Sequence, residues 1–215
     1  MKRNYLPAFA LLLAATVAAA APTPQRIRGT ISSKTDGTLV IHTTTGSDQQ
    51  ISVDGDTKYV RVTRSDLSKV EPGTFIGTAT KDVGSTLVAL EVVVFPPAMK
   101  GTGEGHYDWD QIADTTVAGN VATVSATKPT TKSKMTNGDI ASATSKDGSK
   151  QLTVTYKGGQ QNITVPPTAP IVALVPGSKA DTANGAPVFI VAVSDGGTPV
   201  AKFVAVGVDG VVPPM

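Results

Sequence analysis

Between Met99 and Asp110 the chain gathers residue types that do chemistry: Met99-Lys100-Gly101-Thr102-Gly103-Glu104-Gly105-His106-Tyr107-Asp108-Trp109-Asp110. This stretch holds the single tryptophan and one of two histidines, with three carboxylates in seven residues. Glu104, His106, Asp108 and Asp110 alternate, so an extended backbone would project all four from one side. One imidazole with three carboxylates can hold a divalent cation, and Met99 would add a soft ligand suited to copper. The spacing matches no standard metal motif, and one histidine is thin for zinc or copper. A second role for the same residues is packing. The glycines then form a tight loop between domains, Tyr107 and Trp109 pin it into a groove, and the acids face water. A metal role makes His106 indispensable for binding, whereas a packing role puts the weight on Trp109.

Other candidate chemistry is weaker. Gly101-Thr102-Gly103-Glu104-Gly105 lacks the spacing and the strand-to-helix context of a dinucleotide-binding loop, so a turn is the simpler assignment. The chain has neither a phosphate-binding loop motif nor a G-x-S-x-G nucleophile motif. His42 lies among threonines in a strand-like run, which places it on a surface or in a cross-strand pair. Asp54-Gly55-Asp56 looks like a carboxylate pair but sits between two strands, where a turn explains it without chemistry. With no catalytic constellation, the chain reads as a binding protein rather than an enzyme.

The elements around the 99–110 segment read as two similar units, 27–95 and 117–206. Asp36-Gly37 answers to Asp147-Gly148, Gln49-Gln50-Ile51-Ser52-Val53 to the Gln160–Val165 run, and Phe75-Ile76 to Phe189-Ile190. Ile27–Ile31 is matched with Val117–Val121. Period-2 alternation bounded by Gly, Asp and Pro predicts strands over 26–33, 38–44, 48–54, 58–62, 74–82 and 86–95. In the second unit it predicts 117–124, 150–156, 160–165, 170–175, 187–194 and 198–206. One short helical turn is expected in each unit, at Ser65–Val70 with Ser65 as its cap and at Ser178–Thr182. Residues 125–145 read as an insertion that lengthens the first hairpin and turns at Asn137-Gly138. Lys128, Lys132 and Lys134 make it locally basic, which without aromatic neighbours reads as a solvated loop.

Short, evenly spaced strands of this number suit a small closed barrel, which removes exposed strand edges. The expected architecture is all-β: two tandem small OB-like β-barrels from an internal duplication, each with at most one short helical turn. The boundaries are a cleaved signal peptide over 1–20, a first barrel over 26–96, a connector over 97–116 and a second barrel over 117–215.

The leader sets the address. Lys2 and Arg3 precede an apolar run from Ala8 to Val17 and a row of alanines, the pattern of a secretory signal peptide cut after Ala20. That run is shorter than the roughly 20 residues needed to span a bilayer. Of the 19 lysines and arginines, Lys2 and Arg3 leave with the leader, so 17 remain against 17 acidic residues. A neutral mature chain with few aromatics has no electrostatic reason to bind nucleic acid or anionic lipid. The absence of cysteine removes disulfides, thiolate metal sites and a lipoprotein anchor together. The expected location is the periplasm.

The series R-x-R-G-T-I, T-L-V-I, D-T-K-Y-V, L-S-K-V-E-P-G-T-F-I and T-L-V-A-L-E-V resembles a class of exported bacterial OB-like β-barrel domains of unknown function. The connector and the ending VGVDGVVPPM resemble a two-domain subgroup of it. The resemblance implies fold and export, and brings no catalytic residues with it. It points to a non-catalytic binding or interaction module of the cell envelope, without a cofactor, whose partner is an envelope protein or a glycan. Its candidate contact residues are Glu104, His106, Tyr107, Asp108, Trp109 and Asp110. The alternative is a periplasmic protein that holds a divalent metal on Glu104, His106, Asp108 and Asp110.

Overall fold

A computed structural model of the chain describes residues 24–116, 129–194 and 196–214. The leader, the strand expected over 117–124 and its match to Ile27–Ile31 lie outside these residues. The described chain is all-β. Its strands are β1 (Gln25–Lys34), β2 (Thr38–Thr43), β3 (Asp48–Ser52), β4 (Lys58–Arg64), β5 (Phe75–Val83), β6 (Thr86–Ala89) and β7 (Val92–Val94), followed by β8 (Gly105–Ala113), β9 (Thr130–Lys146), β10 (Ser149–Tyr156), β11 (Gly159–Val165), β12 (Ile171–Pro176), β13 (Pro187–Val193) and β14 (Val200–Gly207). Single 3-10 turns occur at Leu67–Lys69, Pro97–Met99 and Lys179–Asp181. The first is capped by Asp66, not Ser65: the Asp66 carboxylate accepts from the Ser68 N–H at 2.7 Å.

All fourteen strands join one mixed sheet, and its pairings cross between the two halves of the chain. β1, β2 and β3 close with β13 and β14 into one ring of five strands. β9, β10 and β11 close with β5 and β6 into a second ring. Each half therefore gives its closing hairpin to the other, so the expected division into a 26–96 barrel and a 117–215 barrel does not describe the pairing. The halves meet at the antiparallel β4–β12 ladder, where Val62 pairs with Leu174 and Val60 with Pro176. Positions 60 and 174 are counterparts, as are 62 and 176, so the ladder maps onto itself and marks a pseudo-two-fold axis.

The cores follow the rings. Ile27, Ile31, Leu39, Ile41 and Ile51 from the first half pack with Val188, Ile190, Val204 and Val206 from the second. Ile140, Leu152, Val154, Ile163 and Val165 pack with Val70, Ile76, Leu87 and Val92. A third cluster fills the seam, with Val60, Val62, Val93, Val172, Leu174, Phe189 and Ala205. Burial on both faces explains why β13 reads as a continuous apolar run, PVFIVAV: Val188 and Ile190 face one ring, and Phe189 and Val191 face the seam.

Two expectations for 97–145 change. Asn137-Gly138 is not a hairpin turn but the middle of the 17-residue β9, and the chain turns instead at Asp147-Gly148. Gly138 is required there because a Cβ would lie 2.3 Å from the Thr155 carbonyl oxygen; Gly29 meets His42 in the same way at 2.1 Å. Both glycines sit just before a bulge, after Ile31 in one hairpin and after Ile140 in the other. The connector also contains a full strand, β8, paired antiparallel to β9.

Exchange makes each half incomplete. A fragment covering 24–116 should remain largely unfolded or aggregate when expressed alone, and fold as a 1:1 complex when co-expressed with 129–214, as read by circular dichroism and sedimentation. A monomeric, folded 24–116 fragment would show that the hairpin can close on its own half.

Candidate functional site

β8 crosses the seam and organises the site. Its bulge between Asp108 and Gln111 breaks the alternation on which a one-sided carboxylate row depends. Asp110 turns to β1, where Arg26 Nη1 and Arg28 Nη1 each donate to one carboxylate oxygen at 2.8 Å. The R-x-R spacing places both guanidinium groups on the same face of β1, opposite Ile27. Arg26 also stacks over Trp109 at 3.7 Å from the ring centre.

The remaining sequence candidates go to separate places. Glu104 accepts from the Lys157 N–H at 2.9 Å. His106 Nδ1 lies 2.9 Å from Thr136 Oγ1, and burial together with the Lys134 charge lowers the pKa of its imidazole. Asp108 is exposed at a polar cleft that it shares with Asp82, Gln111, Lys132 and Lys134. Lys134 pairs with Asp82 at 3.1 Å, while Lys128 lies outside the described residues. Met99 packs against the seam cluster. Among the described residues no group of three or more His, Cys, Asp or Glu side chains could hold a metal ion. His42 faces solvent beside Asp48 at 2.8 Å, and Asp54 accepts from the Asp56 N–H and the Thr57 hydroxyl in a turn.

What β8 does bring together is an apolar cavity of about 280 Å³ at the seam. Tyr107 and Trp109 form its β8 wall, Phe95 and Met99 the wall from the chain after β7, and Leu174, Phe189, Val191 and Phe203 the wall from the second half. Gly77 lets Asn137 and Phe95 approach β5 closely, since a Cβ there would lie 2.5 Å from Asn137 Oδ1 and 3.0 Å from the Phe95 ring. Asn137 is 8% exposed and its Nδ2 donates to the Thr102 and Gly103 carbonyls, at 3.3 and 3.0 Å, which fixes the amide orientation. Asn137 Oδ1 and Trp109 Nε1 are both buried without a hydrogen-bond partner among the described residues. Among the described residues no charged side chain lines the cavity.

Beside this wall lies Glu91, 3% exposed, at the break between β6 and β7. The break is held by Thr78 Oγ1 donating to the Glu91 carbonyl and Thr115 Oγ1 donating to that of Leu90, both at 2.6 Å. Burial pushes the Glu91 carboxyl up to about 8, partly opposed by the Arg28 guanidinium. Glu91 is therefore mostly protonated at neutral pH.

Tyr107 and Trp109, named from the sequence as candidate contact residues, line the cavity, whereas Glu91, Asn137 and the arginines were not among the sequence candidates. Glu91 carried a signal, as a lone acid inside the apolar run Thr86–Phe95. Asn137 carried none, because Asn-Gly is a turn pair in most contexts. No helix of the described residues is long and apolar enough to cross a membrane. Comparison of the chain with protein-family models, curated proteins and solved structures finds no match.

Two outcomes follow from this geometry. Trp109→Ala, which empties the contact between β8 and the seam, should lower unfolding free energy by about 2–4 kcal/mol, against less than about 1 kcal/mol for His106→Ala. Urea denaturation followed by circular dichroism measures both, since fluorescence would be lost with the tryptophan. Glu91 has a raised folded-state pKa, so its contribution is fully present below the unfolded carboxyl value and is lost as pH rises through about 8. Stability should fall between pH 5 and 8 with a slope of at most about 1.4 kcal/mol per pH unit. Glu91→Gln should flatten that slope and leave the protein more stable than wild type at pH 8.

Proposed function

We propose that this chain is an exported, non-catalytic binding module of the bacterial cell envelope that retains a small ligand in the seam cavity. The cavity carries the reading: a concave site lined mainly by apolar and aromatic side chains is the usual form of a small-molecule site. Its position supports the same view, because residues from both halves and from β8 meet there and nowhere else do so many aromatic side chains converge among the described residues. Tyr107 is the one titratable side chain on the lining, and burial raises its pKa, so the lining favours holding a molecule over transferring protons. The secretory leader and the resemblance to exported OB-like domains support a periplasmic address. The divalent-metal alternative receives no comparable support, since Glu104, His106 and Asp110 are each engaged by a different partner.

Native mass spectrometry of the protein released gently from the periplasm tests this reading. The expected spectrum shows a mature chain beginning at Ala21 with a retained small-molecule adduct. Val191→Phe, which adds volume to the lining, should lose the adduct while remaining folded. A bare mass for the wild-type chain would argue against a retained ligand, and an adduct that survives in the variant would move the site elsewhere.

A further inference from the structure

The lining narrows the class of ligand, and this step rests on the binding reading above. The wall that an occupant would touch is almost wholly hydrocarbon, and the two unpartnered atoms behind it, Trp109 Nε1 and Asn137 Oδ1, have no accessible surface. An occupant therefore gains contact by burying hydrocarbon and by little else. A polar group carried inside would give up hydration without a hydrogen bond in return. Exposure separates the floor of the cavity from its mouth. Gly77, Val93, Met135 and Leu174 are buried, whereas Thr102, Gly103 and Tyr107 are exposed. A polar end can stay in water at that mouth while an apolar end reaches the floor. A methylene is about as large as a water molecule, whose share of the liquid is about 30 Å³, so about 280 Å³ holds on the order of nine such groups.

Charge around the rim selects the polar end. The β1–β13 register sets Arg26 opposite Val191 and Arg28 opposite Phe189, and directly opposed residues share a face of the sheet. Their guanidinium groups stand over lining rings, Arg26 at 3.7 Å from the centre of Trp109 and Arg28 at 5.0 Å from that of Phe189. Arg26 also lies near enough to the Tyr107 hydroxyl to oppose the upward shift of its pKa. Exposed Lys58 is paired with Phe203 in the β4–β14 ladder and, two residues before Val60, shares its seam-facing side. Exposed Lys100 follows Met99. The nearby acids are already engaged: Asp110 by the two arginines, Asp139 by Lys100 and Glu104 by the Lys157 N–H. Lys58 has no ion-pair partner among the described residues, so the rim keeps a positive surplus.

We propose that the seam cavity takes the hydrocarbon tail of a single-chain anionic amphiphile, with the head left in water beside Arg26 and Lys58. One tail of on the order of nine carbons fills the space. The second chain of a bilayer lipid would stay outside, which favours a free amphiphile such as a fatty acid over a lipid held in a membrane.

Straight-chain carboxylates from hexanoate to dodecanoate, each below its micelle concentration, test the tail in the intact mature protein. The single tryptophan lies on the cavity wall, so its fluorescence reports occupancy. Affinity should rise about fourfold with each added methylene and level off once the tail outgrows the cavity, at about ten carbons. The head is tested at constant tail. In low salt, octanoate should bind about threefold to thirtyfold more tightly than octyltrimethylammonium, with 1-octanol between them, and about 1 M salt should compress the difference. By calorimetry, Arg26→Gln should weaken octanoate about twofold to fivefold and leave 1-octanol unchanged. Equal affinity for the three heads would overturn the anionic assignment, and an affinity that does not grow with chain length would overturn the tail. Vesicles of phosphatidylglycerol should not carry the protein down on sedimentation; if they do, the free amphiphile gives way to a membrane lipid. p-Xylene separates the ligand class from the cavity itself. A fluorescence response to p-xylene but to no carboxylate would sink the amphiphile and leave a small-molecule site, whereas no response to either at millimolar concentration would sink both.

Discussion

The β4–β12 ladder is the constraint from which the rest of the molecule follows. By pairing the fourth strand of one half with the fourth strand of the other, it places each closing hairpin beside the opposite half's first three strands. β14 then runs parallel to β4, and β7 parallel to β12, so the two ladders on either side are counterparts. The β13–β14 hairpin is consequently covered by a ring core on one face and by the seam on the other, while β5 packs Ile76 into the second ring and Ala79 against Leu90, Ile112 and Met135. Without disulfides, this double burial is what joins the halves into one body. It also removes strand edges: among the described residues β8 alone ends the sheet.

The two-fold relation is not kept everywhere, and its departures define the site. Ile76 and Ile190 are counterparts, yet Ile190 pairs with Ile27 in one ring while Ile76 pairs with Gly138 in the other. Matched through their hairpins, Gly29 and Gly138 occupy equivalent positions, so the two closing ladders differ by two residues. A shift of two preserves which face each side chain takes, and so both cores survive it. The same hairpin frame sets Arg28 opposite Asn137 in role. One half presents guanidinium groups that seize Asp110, and the other presents a neutral amide that ties down the Thr102-Gly103 loop. β8 bridges these unlike surfaces, and the cavity is the space its aromatic residues enclose.

Local periodicity made the strands legible, and long-range pairing was not. Alternation located β1 to β5 within a residue or two, because runs such as Thr38–Thr43 bury every second side chain, whereas the single strand expected over 86–95 is broken into β6 and β7. The turns at Gly46 and Gly148 were legible for a steric reason, since both adopt positive φ. Nothing in Phe75–Val83 states whether it closes on β1 or on β9, as both partners offer a Gly-bearing strand before a bulge. β9 was hidden because its buried positions include Ser133, Thr136 and Asn137, polar residues that alternation counts as exposed. β8 was hidden for the opposite reason, as its two aromatic rings lie among acids and read as a decorated loop. The spacing of Glu104, His106, Asp108 and Asp110 was visible, but the bulge that scatters their side chains was not.

The seam holds a concave apolar space that its own side chains do not fill. Empty space in a core costs about 24 cal/mol for each Å³, and leaving a buried donor or acceptor unpaired costs about 1–3 kcal/mol more. The cavity is open at its mouth, so water can relieve part of that cost, but an apolar lining gives water few partners. A larger side chain at Val191 would enter the space, whereas at Gly77 a Cβ would first meet Asn137 Oδ1 at 2.5 Å. The chain instead keeps a glycine against Phe95 and Asn137 and sets its one indole on the wall. The aromatic side chains of both halves and of β8 therefore enclose a concave apolar surface instead of closing on one another.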